Sequence, residues 1–252
     1  MNEKINHDSS TIAWNKIGEE WIQLSKNGDS RIHFIMPVML NMIGNVAGKK
    51  ILDLGSGDGG YARELSRRGA QVVAIDCSEA SINYSISKTK EESLKIEHFI
   101  RNGNNLFGIQ DDEFDIILCS MFLMDVEDFD GTIKEISRVL KKDGLVFASV
   151  LHPCFNGNLE YGIGRQGANE TREVVVKNYF EPTEWEAGFR DGSIPVVWRH
   201  RTLEDYVKTF LKHGLTIVDL EEPRATLEQT EISQTIAFLR RIPLYLYWKL
   251  KK

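Results

Sequence analysis

A glycine-rich segment carries the clearest chemical signal in this sequence. Residues 51–60 read ILDLGSGDGG, in which Gly55, Gly57 and Gly60 have the spacing G-x-G-x-x-G. Such a loop between a strand and a helix brings the backbone close to a nucleotide or nucleoside, because glycine lacks a Cβ and adopts positive φ. Asp76 ends the next apolar run, where a carboxylate can accept hydrogen bonds from ribose hydroxyls. The spacing predicts a nucleoside site and leaves a nicotinamide or flavin dinucleotide open.

A carboxylate just before the glycines helps to distinguish between these candidate ligands. Asp53 precedes Gly55 by two residues, at the strand end predicted to face the ligand crevice. A pyrophosphate there would meet an uncompensated negative charge. S-adenosylmethionine instead has an ammonium group and a sulfonium and no phosphate, so a carboxylate would serve it as a counter-charge. Asp53 therefore favours S-adenosylmethionine over a dinucleotide.

Four later segments extend the pattern: they read VVAIDCS, IRNGNNL, FDIILCSMFLMDVED and LKKDGLVFASVLHP. Together with the glycine loop, over residues 48–153, they resemble the class I S-adenosylmethionine-dependent methyltransferases. The similarity is greatest to the small-molecule branch, methyltransferase types 11 and 25, which contains the quinone-biosynthesis methyltransferases. The resemblance implies a methyltransferase that moves a methyl group from S-adenosyl-L-methionine to an oxygen or nitrogen of a small-molecule acceptor.

The resemblance also implies roles for individual residues. It places the glycine loop beside the methionine part of the cofactor, Asp76 on the ribose and Cys77 beside the adenine. Asn102 and Gly103 stand where the family commonly has Asp-Ala. An Asn oxygen can still accept from the adenine amino group, and the Gly103 N–H can still donate. The predicted cofactor contacts are Asp53, Gly55, Ser56, Gly57, Asp76, Cys77, Asn102, Gly103, Ser120 and Met121.

Three side chains are candidate catalytic groups at the acceptor. A base is needed only where the acceptor is a hydroxyl or ammonium that is not already ionised. His152 directly follows the fifth predicted strand, His200 precedes the next helix, and Asp125 stands where the family often has a histidine. Each has a structural alternative: the histidines can bond a backbone carbonyl at a corner, and Asp125 can cap the following helix.

Two aromatic regions could enclose the acceptor. Trp14, Ile17, Trp21 and Leu24 form one apolar stripe of a predicted helix, which could pack against the main domain or form a lid. Later aromatics could wall a pocket for a flat or apolar acceptor, or could equally be core. They are Phe155, Tyr161, Tyr179, Phe180, Trp185, Phe189 and Trp198.

Alternating strand and helix signals position these residues. Near-continuous apolar strands predict an α/β fold with a Rossmann-like, seven-stranded, mostly parallel sheet and helices on both faces. The helix after the fourth strand is predicted to run through Lys142 to a glycine, and another helix is predicted around residues 228–241. We expect a single domain: 1–47, an N-terminal helical lid; 48–151, the cofactor-binding core; 152–200, an insertion after the fifth strand that forms the acceptor site; 201–252, completion of the sheet.

Composition narrows the class of partner. The 252 residues hold 31 Lys and Arg against 37 Asp and Glu, a net charge of −6, which disfavours nucleic acid. No signal peptide or membrane-spanning run is visible, and the three cysteines have no metal-ligand spacing. We expect a cytoplasmic monomer or homodimer with a small-molecule acceptor, no metal, and no nucleic-acid or membrane partner. The alternatives are an RNA or protein methyltransferase and an NAD(P)-dependent Rossmann oxidoreductase.

Overall fold

The computed structural model describes residues 8–26, 28, 30–155, 174, 176, 178–188 and 195–252. The helices are α1 (Ser9–Lys26), a π-helical turn (Arg31–Ile35), α2 (Met36–Ile43), α3 (Gly60–Arg67), α4 (Glu79–Glu91), α5 (Phe129–Val139), α6 (Leu203–Lys212), α7 (Leu227–Ile232) and a 3₁₀ helix (Gln234–Arg240). The strands are β1 (Lys50–Leu54), β2 (Gln71–Asp76), β3 (Ile96–Ile100), β4 (Phe114–Ser120), β5 (Leu140–Leu151), β6 (Glu184–Gly188), β7 (Pro195–Arg199), β8 (Thr216–Glu221) and β9 (Tyr245–Lys251).

Seven strands form one sheet in the order β3-β2-β1-β4-β5-β9-β8. Neighbours from β3 to β5 pair in parallel, whereas β9 runs antiparallel to both β5 and β8. The predicted mostly parallel, Rossmann-like sheet is confirmed. The chain order reverses between β1 and β4, and ligands of open α/β sheets bind at such a switch point, beyond the carboxyl ends of the strands.

The core lies on both faces of this sheet. Leu52 and Leu54 belong to the buried cluster on one face, and Ile51 belongs to the cluster on the other face. Consecutive side chains of a strand point to opposite faces. Both faces being covered explains why the strands read as continuous apolar runs rather than as alternating ones.

Helix starts follow the sequence signals more closely than helix ends do. The hydroxyl of Ser78 accepts from the N–H of Ser81 at the start of α4, and Thr202 forms a capping box with Asp205 at α6. The predicted end of α5 at a glycine is wrong. The helix stops at Val139, because Leu140 already pairs with Phe114 of β4.

The other predicted late helix is divided. Over residues 228–241 the chain forms the short α7, begun by a capping box at Thr226, and then the 3₁₀ helix. Ser233 between them has extended backbone angles. The separate cap and the extended residue explain why one continuous helix does not form.

The segment between β5 and α6 contributes a small sheet of its own. Strands β6 and β7 pair antiparallel as a two-stranded sheet, and β7 packs against α1. Of the aromatics predicted here, Tyr161 and Phe189 lie outside the described residues. No helix in the described part of the chain is long and apolar enough to cross a membrane.

Candidate active site

A cavity of about 360 Å³ lies beyond the carboxyl ends of the strands. Asn102 after β3, Asp76 of β2, Gly55 after β1, Ser120 of β4 and Leu151 of β5 all line it, and the wall continues to the start of β9. Because neighbouring strands lie about 4.8 Å apart, the cavity is a long trough across the sheet. Helix α1 contributes Trp14, Trp21 and Leu24 to its wall; the lid function of this helix stays a prediction.

The glycine loop is held by hydrogen bonds to the end of β2. The N–H groups of Gly55 and Ser56 donate to the carbonyl of Ile75 at 2.8 and 3.0 Å. Gly55 has φ +74°, and a Cβ there would lie 2.4 Å from the ring of Phe122. Both the backbone angle and the packed ring therefore require glycine at this position.

Asp76 links the loop to the start of α4. Its Oδ2 accepts from the N–H of Gly57 and its Oδ1 from that of Ser78, both at 2.8 Å. An ionised carboxylate has about four acceptor sites, so each oxygen can accept a further hydrogen bond from a ligand. Burial raises the pKa of Asp76 and raises that of the neighbouring Cys77 thiol well above its usual value. Cys77 lines the cavity as a neutral thiol.

Three buried side-chain atoms of cavity-lining residues have no hydrogen-bond partner among the described residues. They are the Oγ of Ser56 and the Oδ1 atoms of Asn102 and Asn104. The Nδ2 of Asn102 donates to the hydroxyl of Thr11 on α1, which leaves its oxygen as the acceptor. Buried polar groups in native proteins are nearly always paired. A ligand with amino or hydroxyl donors, such as S-adenosylmethionine, fits these atoms.

The residues after β4 are held in an unusual backbone conformation. Met121 has φ +53°, and its N–H donates to the carbonyl of Ser149 on β5 at 2.8 Å. The hydroxyl of Ser120 donates to that of Tyr61 at 3.1 Å. A non-glycine residue with positive φ costs conformational energy and is found most often at functional sites. Ser120 and Met121 both line the cavity.

Asp53 does not occupy the position expected of it. Its side chain is buried, with the residue 1 % exposed, and it is not among the described residues that line the cavity. Burial raises its pKa to about 7, an effect that the positive charge of Arg31 opposes. Its Oδ2 has no hydrogen-bond partner among the described residues, and its role as a counter-charge to the cofactor stays a prediction.

Asp125 differs from the other carboxylates of the cavity because none of the described residues engages its side chain in a hydrogen bond or ion pair. Asp8 accepts from Thr11, Asp58 binds Arg31, Asp76 accepts from two backbone N–H groups, and Asp128 caps α5 by accepting from Gly131. Asp125 is thus not the helix cap that the sequence allowed. Burial raises its pKa to about 7, against the opposing charges of Arg199 and Arg201.

Both candidate histidines lie outside the main cavity. His152 is 3 % exposed; its Nδ1 accepts from the N–H of Cys154 at 3.1 Å, and its Nε2 therefore donates to Glu222 at 2.8 Å. The Nε2 of His200 lies 2.8 Å from the carbonyl of Tyr179. These contacts match the corner-packing alternative, and a catalytic role for His152 or His200 stays a prediction. His200 lines only a second, small cavity, which Asp125 also lines.

The sequence analysis did not predict an ion pair that joins the turn after α1 to the glycine loop. Arg31, in the π-helical turn, donates to Oδ2 and Oδ1 of Asp58 at 2.9 and 2.6 Å. Ser25 of α1 donates to the same carboxylate at 3.0 Å. Asp58 lies inside the predicted loop, so an acidic residue there could have suggested a basic partner, but nothing local identifies Arg31.

The described residues contain no group of three or more His, Cys, Asp and Glu side chains that could hold a metal ion.

Comparisons with known proteins agree with this architecture. Residues 52–148 match the family model described as a methyltransferase domain. A ubiquinone biosynthesis O-methyltransferase of Nitrosococcus oceani is 29% identical over 85% of this chain and 98% of its own length. One from Xanthomonas oryzae pv. oryzae is 30% identical over 65% of this chain and 71% of its own length.

Solved structures share the fold. An S-adenosylmethionine-dependent methyltransferase from Mesorhizobium loti superimposes with a TM-score of 0.72 at 23% identity, covering 86% of this chain and 96% of its own. Another, from Aquifex aeolicus, gives a TM-score of 0.57 at 17% identity, covering 90% and 95%. The family relationship sets aside the NAD(P)-dependent alternative. The chain belongs to the class I S-adenosylmethionine-dependent methyltransferases, and S-adenosylmethionine is its cofactor.

Proposed function

We propose that this methyltransferase moves a methyl group to an oxygen or nitrogen of a small, uncharged and largely apolar acceptor. The observation that carries the proposal is Asp125, a carboxylate that none of the described residues engages, at the edge of an apolar compartment. Over β4, β5 and β9 the cavity wall is formed by Met124, Leu151 and Tyr245, and β7 adds Val196 and Trp198. Relatives named as ubiquinone biosynthesis O-methyltransferases support a hydroxyl acceptor.

The polar half of the cavity is proposed to hold the cofactor. Ser56 and Asn102 would pair their unengaged atoms with it, Asp76 would accept from the ribose hydroxyls, and Cys77 would lie beside the adenine. Gly55, Gly57, Gly103, Ser120 and Met121 would contribute backbone contacts and wall. When bound, S-adenosylmethionine supplies an electrophilic methyl group on its sulfonium. Asp53 would act from behind the loop rather than by direct contact.

Charge restricts the acceptor class. Among the described residues that line the main cavity, the basic side chains are those of Arg31 and Arg101. Arg31 is paired with Asp58, and Arg101 follows β3, at the other end of the trough, with its guanidinium 3.7 Å from the centre of the Phe107 ring. Arg199 and Arg201 act on Asp125 from outside the main cavity, so an anionic acceptor inside it would meet the carboxylate with no lining cation to pair with, which is costly in a buried site. A neutral hydroxyl is the better match.

Asp125 would take the proton of that hydroxyl. A general base works best when its pKa lies near the operating pH, and burial raises the pKa of Asp125 to about 7. The aromatic and aliphatic wall would exclude water and hold the acceptor oxygen near attack distance. Positioning of this kind lowers the barrier without any covalent step on the protein.

Paired acceptors test the proposal. Methyl transfer from isotopically labelled S-adenosylmethionine is followed by mass spectrometry for a neutral substituted phenol, the matching aromatic thiol, and a carboxylated analogue of the phenol. We expect the phenol to be methylated faster than its carboxylated analogue. In the Asp125→Asn variant, methylation of the phenol should fall by about 10²-fold or more, whereas the thiol, which ionises without help, should keep most of its rate.

Equal loss of both reactions in Asp125→Asn would show that the residue does not act as a base. A preference of the wild type for the carboxylated acceptor would contradict the proposed acceptor class.

A further inference from the structure

Arg201, just beyond β7, binds the backbone of the loop that carries Asp125. Its Nη1 donates to the carbonyls of Leu123 and Met124 at 3.2 and 3.3 Å, and its Nη2 donates to that of Val126. The guanidinium also lies 4.9 Å from the centre of the Phe129 ring. Because these carbonyls accept from Arg201, its guanidinium holds the backbone on both sides of Asp125.

The charge of Arg201 has no ion-pair partner in the described part of the chain. Arg199 has an arrangement of a different kind. Its guanidinium is paired with Glu184 at 3.0 Å and with Glu127 at 3.6 Å, and it donates to the carbonyl of Asp125 at 2.7 Å. Arginines that leave the solvent are normally paired with carboxylates. An unpaired one next to a functional carboxylate therefore calls for a reason beyond packing.

Arg201 and Asp125 both line the small second cavity of about 20 Å³. No ion pair of 4 Å or less joins them, so Arg201 acts on the carboxylate through its field and not through a hydrogen bond. The other charged or titratable groups near Asp125 are Arg199 of β7, His200 directly after it, Asp76 of β2 and Tyr206 of α6. Arg201 is the cation in this set whose charge the described carboxylates leave unneutralised.

We propose that Arg201 is a positioning residue, which fixes the loop bearing Asp125 and supplies the positive charge that keeps its carboxylate ionised for proton transfer. The inference rests on the proposed role of Asp125 as the base. Its physical basis is that an opposite charge nearby favours the ionised form of a carboxylate, whereas burial disfavours it. Burial and the two arginines act against each other at Asp125 in this way.

The test separates the charge of Arg201 from its shape. In Arg201→Met both are lost, in Arg201→Gln hydrogen-bond donors remain without the charge, and in Arg201→Lys the charge remains without the planar fork. We expect the acidic limb of the kcat against pH profile to move up by about one pH unit in Arg201→Met and Arg201→Gln, which lowers kcat at pH 7 about fivefold. Arg201→Lys should return the midpoint to the wild-type position, and the Kd for S-adenosylhomocysteine should not change.

Arg138→Met is the matched control. Arg138 also donates to loop carbonyls, those of Leu106 and Ile109, but it pairs with Glu135 and lies outside the cavity lining. Its loss should reduce stability and leave the pH profile in place. An unmoved midpoint in both Arg201→Met and Arg201→Gln, or a midpoint that Arg201→Lys does not restore, would overturn the inference. Undiminished turnover in Asp125→Asn would instead reject the proposed function itself, so the two failures are distinguishable.

Discussion

The guanidinium of Arg31 binds both carboxylate oxygens of Asp58, and so fastens the turn after α1 to the glycine loop. Both residues also line the cavity. This ion pair therefore joins the turn after α1 to the glycine loop within the lining of the cavity. Burial opposes ionisation of Asp58, but the hydrogen bonds and charge of Arg31 outweigh it and hold the pKa of Asp58 below its usual value.

Removing one partner of this pair should weaken both the fold and cofactor binding. Arg31→Met leaves a mostly buried carboxylate unpaired, and we expect it to lower the free energy of unfolding by about 3 kcal/mol. Urea denaturation with and without S-adenosylhomocysteine measures the effect. Arg67→Met, which removes exposed ion pairs with Glu64 and Glu92, should cost less than about 1 kcal/mol. A similar small loss in both variants would contradict the account.

The same pair gives a dependence on pH with a defined sign. Since the folded-state pKa of Asp58 is depressed, its contribution is complete above the ordinary Asp pKa of about 4 and is lost as the pH falls through the lower folded-state value. The difference in unfolding free energy between wild type and Asp58→Asn should therefore be constant near neutrality and shrink in acid. A difference that grows below pH 4 would have the wrong sign.

Asp76→Asn should weaken binding of S-adenosylhomocysteine by about 10- to 100-fold, because hydrogen bonds to a charged group contribute about 1.5–3 kcal/mol each. Only one of the two terminal atoms of an amide is an acceptor, so Asn cannot accept from Gly57 with one atom and from Ser78 with the other. Isothermal titration calorimetry gives the Kd. Asp115→Asn is the control. Asp115 also accepts from a backbone N–H, that of Lys50, but at the amino ends of the strands, away from the cavity. Equal Kd values for the two variants would argue against the proposed ribose contact.

Two glycines with nearly the same φ separate backbone strain from crowding. Gly55 has φ +74° with the Phe122 ring against it, whereas Gly214 has φ +77° with nothing within 4 Å of a Cβ. Gly214→Ala should cost about 1–2 kcal/mol from the backbone angle alone. Gly55→Ala should cost about 1–3 kcal/mol more from overpacking and should lose binding of S-adenosylhomocysteine. Similar denaturation midpoints would show that Phe122 moves aside freely.

His152 is expected to support structure and not turnover. Burial lowers its pKa, an effect that Glu222 opposes. Its contribution to stability is therefore present above the ordinary His pKa of about 6.5 and is lost as the pH falls through the folded-state value. His152→Gln should keep the wild-type kcat near neutrality and unfold with a weaker dependence on pH as the pH falls below about 6.5. Loss of kcat in this variant without loss of stability would return His152 to the catalytic candidates.

The sheet and the glycine loop could be predicted from the sequence because their signals are local. A buried parallel strand is a continuous apolar run, and the loop after β1 needs glycines at fixed positions. The boundary between α5 and β5 could not be predicted in the same way. Residues 140–143 have no local signal that ends a helix, and the pairing of Leu140 with Phe114 decides the outcome.

The fate of individual site residues depended on partners distant in the chain. His152 is occupied by Glu222, seventy residues away, and Asp58 by Arg31, twenty-seven residues away. Asp53 matches the motif, but its side chain is buried and is not among the described residues that line the cavity. The sequence allowed Asp125 to be either a catalytic group or a helix cap, and in the structure the cap of α5 is Asp128.

The pH dependence of kcat for wild type and Asp125→Asn, with saturating S-adenosylmethionine and a neutral phenolic acceptor, tests the central claim most directly. We expect the wild-type rate to rise with pH through a midpoint near the pKa of Asp125, about 7. The variant should be slower by about 10²-fold or more at that pH and should lack this midpoint, with an unchanged Kd for S-adenosylhomocysteine. A variant with the wild-type rate and midpoint would contradict the assignment of Asp125 as the base.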